Sequence, residues 1–90
     1  MPDVRTYQLG DTAWVVKVRG DLDSAAVAAV ARATKTPTVV DLREATVIDV
    51  WALDSLVDCS DAIFVADRPL RDALDALGLR TESTLAAAVL

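Results

Sequence analysis

The segment V-I-D-V-W-A-L-D-S-L, residues 47–56, passes from an apolar run into a helical pattern with almost nothing between them. Val47, Ile48 and Asp49 read as the end of a buried strand, and the apolar spacing from Val50 onward reads as a helix. At a helical period Val50, Leu53, Leu56 and Val57 form a stripe about 120° wide. Trp51 falls roughly opposite, grouped with Asp54, Ser55 and Asp58. One of the two tryptophans of the chain is therefore expected on the outward side of a short helix. A strand that turns at once into a helix is the repeating step of an α/β domain.

The flanking sequence repeats that step. Upstream, residues 4–9 alternate weakly and stop at Gly10-Asp11. Residues 13–19, A-W-V-V-K-V-R, then place Trp14, Val16 and Val18 on one face with Lys17 and Arg19 on the other, and Gly20 is read as their end. The two runs form a hairpin. Residues 24–34 follow as a helix capped by Asp23 or Ser24. Val27, Val30, Ala31 and Thr34 form its inner stripe, and Ala25, Ala28, Ala29 and Arg32 lie outside. T-V-V-D-L (38–42) and A-I-F-V-A (62–66) have the continuous apolar character of central parallel strands.

Downstream, D-R-P-L-R-D-A-L-D-A-L-G (67–78) is a helix with Asp67 near its cap, Pro69 in its first turn and Gly78 at its end. Leu70, Ala73, Leu74 and Leu77 make its inner stripe, and Arg71 and Asp75 are spaced to pair one turn apart. Ser83 is read as the cap of a last short helix, residues 84–90, after at most a stub of strand at L-R-T-E.

Composition narrows the chemistry. The 90 residues are enough for one domain, residues 1–90, of modest stability. The chain has no His, which removes the commonest general base and most zinc sites, and the lone Cys59 cannot form an intrachain disulfide. Catalysis is not expected, nor a metal or other cofactor. A net charge of −5, with the basic residues scattered, argues against nucleic acid. The longest apolar run, L-A-A-A-V-L, is far too short to insert across a bilayer, and no charged-then-apolar leader precedes Val4. A cytoplasmic location is the expectation.

Four runs carry a resemblance through their order and spacing: G-D-L-D (20–23), V-V-D-L (39–42), V-I-D (47–49) and R-P-L-R-D-A-L-D-A-L-G-L (68–79). From Val4 onward the chain resembles the sulfate transporter and anti-sigma factor antagonist domain, STAS. The resemblance implies an α/β fold: a mixed, mostly parallel sheet of four to five strands with three to four helices. It also implies that the loop entering the second helix is the working part. That loop normally reads Asp-Ser-Ser-Gly, and in the antagonists a serine there is phosphorylated by the kinase activity of the anti-sigma factor.

Here the loop reads D-V-W-A. Asp49 is retained, Val50 and Trp51 stand where hydroxyls would be, and Ala52 replaces the glycine. Phosphate would bring a charge of about −1.5 to −2 to a helix N-terminus, and neither Val nor Trp can carry it. Ser55, one turn on, is a displaced acceptor at best, because a helical serine is a poor kinase substrate. The second helix has room for only about nine or ten residues, and L-R-T-E leaves at most a stub for a fifth strand, so four strands and five both stay open.

By this resemblance the chain is a non-enzymatic interaction module in transcription regulation, and its partner is an anti-sigma factor or a serine kinase domain. The expected contact residues are Asp49, Val50, Trp51, Asp54 and Ser55, with Asp21, Asp23 and Ser24 on the neighbouring loop. Other readings stay open. Trp51 is either an interface anchor or a cover for an exposed sheet edge, and Asp23 is first a helix cap. Asp54, Asp58 and Asp61 are a solvated face or a match for a basic partner. Asp41 and Asp49, placed at strand ends, suit a sensor of an anion, nucleotide or lipid. A regulatory subunit of an ABC transporter ATPase is a further variant, and Asp49 otherwise holds the loop by accepting backbone N–H groups.

Overall fold

Strand β1 (Asp3–Leu9) and strand β2 (Ala13–Leu22) form the antiparallel hairpin, with Val4 opposite Val18 and Tyr7 opposite Val15. After it the chain alternates: α1 (Ser24–Ala33), β3 (Thr38–Val47), α2 (Val50–Ser55, running on as a 3-10 turn over Leu56–Cys59), β4 (Ile63–Val65), α3 (Leu70–Ala76), β5 (Arg80–Glu82) and α4 (Leu85–Val89). This computed structural model describes residues 3–9, 13–33, 38–47, 50–59 and 61–89, without the side chains of Ala13, Val50 and Val89. Helical crossovers return each later strand in the same direction, so β2 to β5 are parallel and the sheet order is the chain order. The expected mixed, mostly parallel sheet is present with five strands and four helices. The fifth strand, left open between four and five in the residues, is present: Arg80–Glu82 pairs along β4 from Ile63 to Val65.

Both faces of the sheet are covered, which explains why consecutive valines occur in β2 and β3. Val16, Val18, Val40, Leu42 and Phe64 face α1, α2 and α3, and bury against Val27, Val30, Leu56 and Leu74. Val15, Val39 and Val65 point the other way, under α4, with Leu85 and Ala88. Each fully buried Val or Leu contributes about 1.5–3 kcal/mol. Helix α4 is short, and the part of this second face it leaves open carries charge. Lys17 meets Glu44 at 2.7 Å, Arg19 meets Glu44 at 3.7 Å, and Arg5 meets Asp3 at 2.9 Å.

Several local readings need correction. Gly20 does not end β2. It sits inside the strand at φ 89, just past a register shift between Lys17 and Arg19, and β2 continues to Leu22. The inner face of α1 is Ala26, Val27 and Val30, while Ala31 is exposed and Thr34 lies outside the described residues. In the second helix the tighter 3-10 turn buries Leu56 and Cys59, three apart, and turns Val57 out, 40% exposed. Thr84, not Ser83, caps α4: its Oγ1 accepts the Ala87 N–H at 3.1 Å.

Helix α3 is capped by backbone rather than by the Asp67 side chain. The Asp67 carbonyl accepts the Arg71 N–H at 2.9 Å, and no side chain caps the helix. Arg71 and Asp75 do not pair directly; both turn to Thr81 in β5, with Arg71 Nε donating at 3.4 Å and the Thr81 hydroxyl donating to Asp75. At the other end the Gly78 N–H reaches Asp75 O at 3.0 Å and the Leu79 N–H reaches Leu74 O at 3.2 Å, a Schellman closure. That closure needs Gly78 at φ 82. A Cβ there would meet nothing within 4 Å. Gly78→Ala should therefore cost only the left-handed backbone strain, about 1–2 kcal/mol. Urea unfolding measures this, and a loss well above that range would mean that contacts, not backbone conformation, set the requirement.

Candidate functional site

Two loops leave the sheet side by side. β2 and β3 pair in parallel as far as Leu22 opposite Val47, so the turns into α1 and α2 are neighbours, and the two helices pack together. In the first turn Asp23 caps α1: its Oδ1 accepts the Ala26 N–H at 2.8 Å and its carbonyl accepts the Val27 N–H at 3.0 Å. Asp21 is exposed, and its carbonyl accepts the Asp23 N–H at 3.1 Å. Ser24 is the exposed first residue of α1 and does not cap it. In the second turn Asp49 lies outside the described residues, as does the side chain of Val50.

Trp51 stands on the outward side of α2, 77% exposed. Asp54, Ser55 and Asp58 are exposed with it, as the helical period requires, while Ala52 and Leu56 turn inward. The indole is not sealed under a sheet edge. The Ser55 hydroxyl donates to the Trp51 carbonyl at 2.9 Å, a backbone bond one helical turn away that holds it against its own helix. Beside the indole runs a groove of 510 Å³ between α2 and α3, floored by Leu53, Ala73, Ala76 and Leu77. The sequence pattern assigned Leu53, Ala73 and Leu77 to the core. They are half-buried because the second helix is too short to close over α3, and that shortness was the available signal for the groove.

Asp41 is not at a strand end. β3 runs on to Val47, so Asp41 lies mid-strand with its side chain 2% exposed. Its partner, absent from the sequence reading, is Arg43, two residues on and therefore on the same side of the strand. Arg43 Nε donates to Asp41 Oδ1 and Nη2 to Oδ2, each at 3.0 Å, and the Arg43 backbone N–H adds a bond of 3.1 Å to Oδ1. Burial pushes the carboxyl up and is the largest single influence on it. The Arg43 side chain, the Arg43 N–H and the charges of Arg43 and Lys17 together outweigh burial and hold it below its ordinary value. Glu44 is also lowered, chiefly by the hydrogen bond from Lys17. Both Asp41 oxygens are thus committed inside the fold. Among the described residues no helix is long and apolar enough to cross a membrane, and no group of three or more His, Cys, Asp or Glu could hold a metal ion.

The fold is similar to that of three solved structures. An anti-sigma factor antagonist from Mycobacterium paratuberculosis is 21% identical over 99% of this chain and 92% of its own, with a TM-score of 0.74. The anti-sigma factor antagonist SpoIIAA in its unphosphorylated form is 12% identical over 97% and 94%, with a TM-score of 0.66. An uncharacterised DUF3478 protein with a SpoIIAA-like fold, from Shewanella loihica PV-4, is 12% identical over 98% and 90%, with a TM-score of 0.60. No family model matches the sequence, and no curated protein matches it. The chain has a STAS-like fold.

The Asp41–Arg43 pair gives a test of sign. In the wild type Asp41 titrates below the unfolded value of about 3.9, so its stabilisation is fully present above that value and is lost as pH falls through the folded one. Arg43→Ala removes the side-chain bonds and the guanidinium charge, leaving burial opposed by the residue 43 N–H and Lys17, and the folded value is expected to rise above the unfolded one. That contribution then declines as pH rises from about 4. Urea unfolding from about pH 4 to about pH 7 should show a variant that loses stability with rising pH relative to wild type. The deficit should reach about 2–3 kcal/mol, below the range for fully buried pairs because Arg43 is partly solvated. A constant difference between the two curves would refute the assignment.

Proposed function

We propose that this STAS-like domain is a non-enzymatic interaction module of the anti-sigma factor antagonist type, meeting an anti-sigma factor or serine kinase domain through the entrance of α2. The observation that carries the reading is Trp51, a large apolar side chain held 77% exposed on a helix that buries its other side. A Trp in that position supplies broad contact area with little rotamer entropy to lose, and such residues dominate interface energetics. In the sequence Asp49 and Val50 immediately precede Trp51 at this entrance. Asp21, Asp23 and Ser24 border it on the neighbouring turn, while Asp54 and Ser55 extend it along α2.

The contact is permanent rather than switched. Val50, Trp51 and Ala52 offer no hydroxyl, and the hydroxyl of Ser55 is bonded to the helix backbone. Asp54, Asp58 and Asp61 lend the face a negative field that favours a basic partner surface. A ligand-sensing reading draws no support from Asp41, whose oxygens are both held by Arg43.

Affinity capture from native lysate with wild type and Trp51→Ala tests this, followed by calorimetry on the captured partner. Trp51→Ala should weaken binding by about 2 kcal/mol or more, roughly 30-fold. Folding stability should change by no more than about 0.5 kcal/mol, since the residue is at the surface. Equal recovery of the same proteins by both baits would remove Trp51 from the interface. Mass spectrometry of natively purified protein should find no phosphate on residues 50–55.

A further inference from the structure

The two edges of β3 are not equally used. On the β2 side its pairing reaches Val47; on the β4 side it stops at Asp41. β4 is three residues long, and the chain after it is drawn toward the opposite neighbour, with the Ala66 N–H donating to Glu82 O at 3.2 Å. Residues 42–47 therefore continue as extended strand whose β4-side edge is paired to no described strand. The lane that a longer β4 would occupy is instead a cleft of 540 Å³. Leu42, Ala45 and Val47 form one wall, and Leu53, Leu70 and Ala73 the other. Arg68 lies at the mouth, its side chain 80% exposed and, among the described residues, held by a 3.9 Å contact to Asp72.

We propose that this lane docks an extended peptide segment of a partner protein, which adds beside residues 42–47 as an extra strand, seats apolar side chains on Leu53, Leu70 and Ala73, and places a carboxylate at Arg68. The occupant follows from the two walls and the mouth. A strand edge offers backbone N–H and C=O groups at the strand repeat, and only another extended backbone matches both kinds in register. A helix is roughly 10 Å across with its backbone groups already bonded, whereas a strand added beside β3 needs a spacing of only about 4.8 Å. A fatty-acid-like amphiphile would fill the apolar wall and leave the edge unpaired. Arg43 is committed to Asp41, so the cation able to receive a charged side chain is Arg68, which makes the peptide acidic at that point. The proposal rests on reading the domain as a protein-binding module but does not use Trp51.

The test selects a random peptide display library on the whole chain and synthesises the best binders. Bound peptide should slow amide hydrogen exchange within residues 42–47. Methylating the peptide backbone nitrogens that face β3 should weaken binding by about tenfold or more, and methylating the alternate nitrogens should not. Arg68→Glu should weaken it to a similar degree. Ala73→Trp, which narrows the cleft, should do the same, and Ala28→Arg on the far side of α1 should not. Arg68 is a surface position, so its substitution stays informative even if Ala73→Trp folds poorly. Failure to select any peptide that protects residues 42–47, indifference to backbone methylation, or a helical bound peptide overturns the proposal. Saturable decanoate binding that excludes the peptide would do so as well, and would assign the cleft to a small amphiphile. If partner binding keeps its Trp51 dependence while peptide docking fails, the lane alone is lost; the reverse pattern retains the lane and removes the α2 surface.

Discussion

Parallel pairing of β2 with β3 is the constraint from which the rest of the molecule follows. A strand buried on both faces has no solvent side on which to place polar groups, so any charge within it must be answered locally. β3 carries one such charge, Asp41, and answers it with Arg43 from its own next position on that face. Past that pair β3 emerges from under α4, where Lys17, Arg19 and Glu44 form an open ionic cluster across the two strands. The same pairing, carried to Val47, sets the turn into α1 beside the turn into α2. Burial, charge compensation and the placement of the α2 entrance thus share one origin.

Much of this is legible in the residues. Alternation at 13–19 gives the hairpin, V-V-D-L and A-I-F-V-A give buried strands, and a helical period places Trp51 outside and Leu56 inside. What escapes local pattern has identifiable causes. A 3-10 turn advances about 120° per residue rather than 100°, so Val57 leaves a stripe that a uniform α-helix would keep. Ser83 and Thr84 are equally good caps on paper, and the backbone decides between them. β5 is three residues long and exists through pairing with β4 and contact with α3, which no window of L-R-T-E reveals. The length of β3 is likewise a matter of partners: T-V-V-D-L is apolar, R-E-A-T-V is not, yet both are strand because β2 accompanies them.

The site was partly legible for the same reason. The exposure of Trp51 follows from a period, and Asp23 caps as its position suggests. Arg43 and the clefts flanking α3 depend on which elements fall short, and shortness becomes visible only once the layers are stacked. Proteins of low sequence identity share these layers. In this chain the margins of the layers are a second helix that leaves α3 uncovered and a fourth strand that leaves β3 half-paired.

Thr81 adds a mechanical consequence. It receives Arg71 and donates to Asp75, so a three-residue strand is riveted to one face of the helix above it. Helix α3 and strand β5 are consequently tied into one jaw, while Leu42 to Val47 of β3 belong to the opposite jaw, anchored through β2. Any widening between them displaces α3 and β5 together, pivoting on the three-residue ladder that joins Val39–Asp41 to Ile63–Val65.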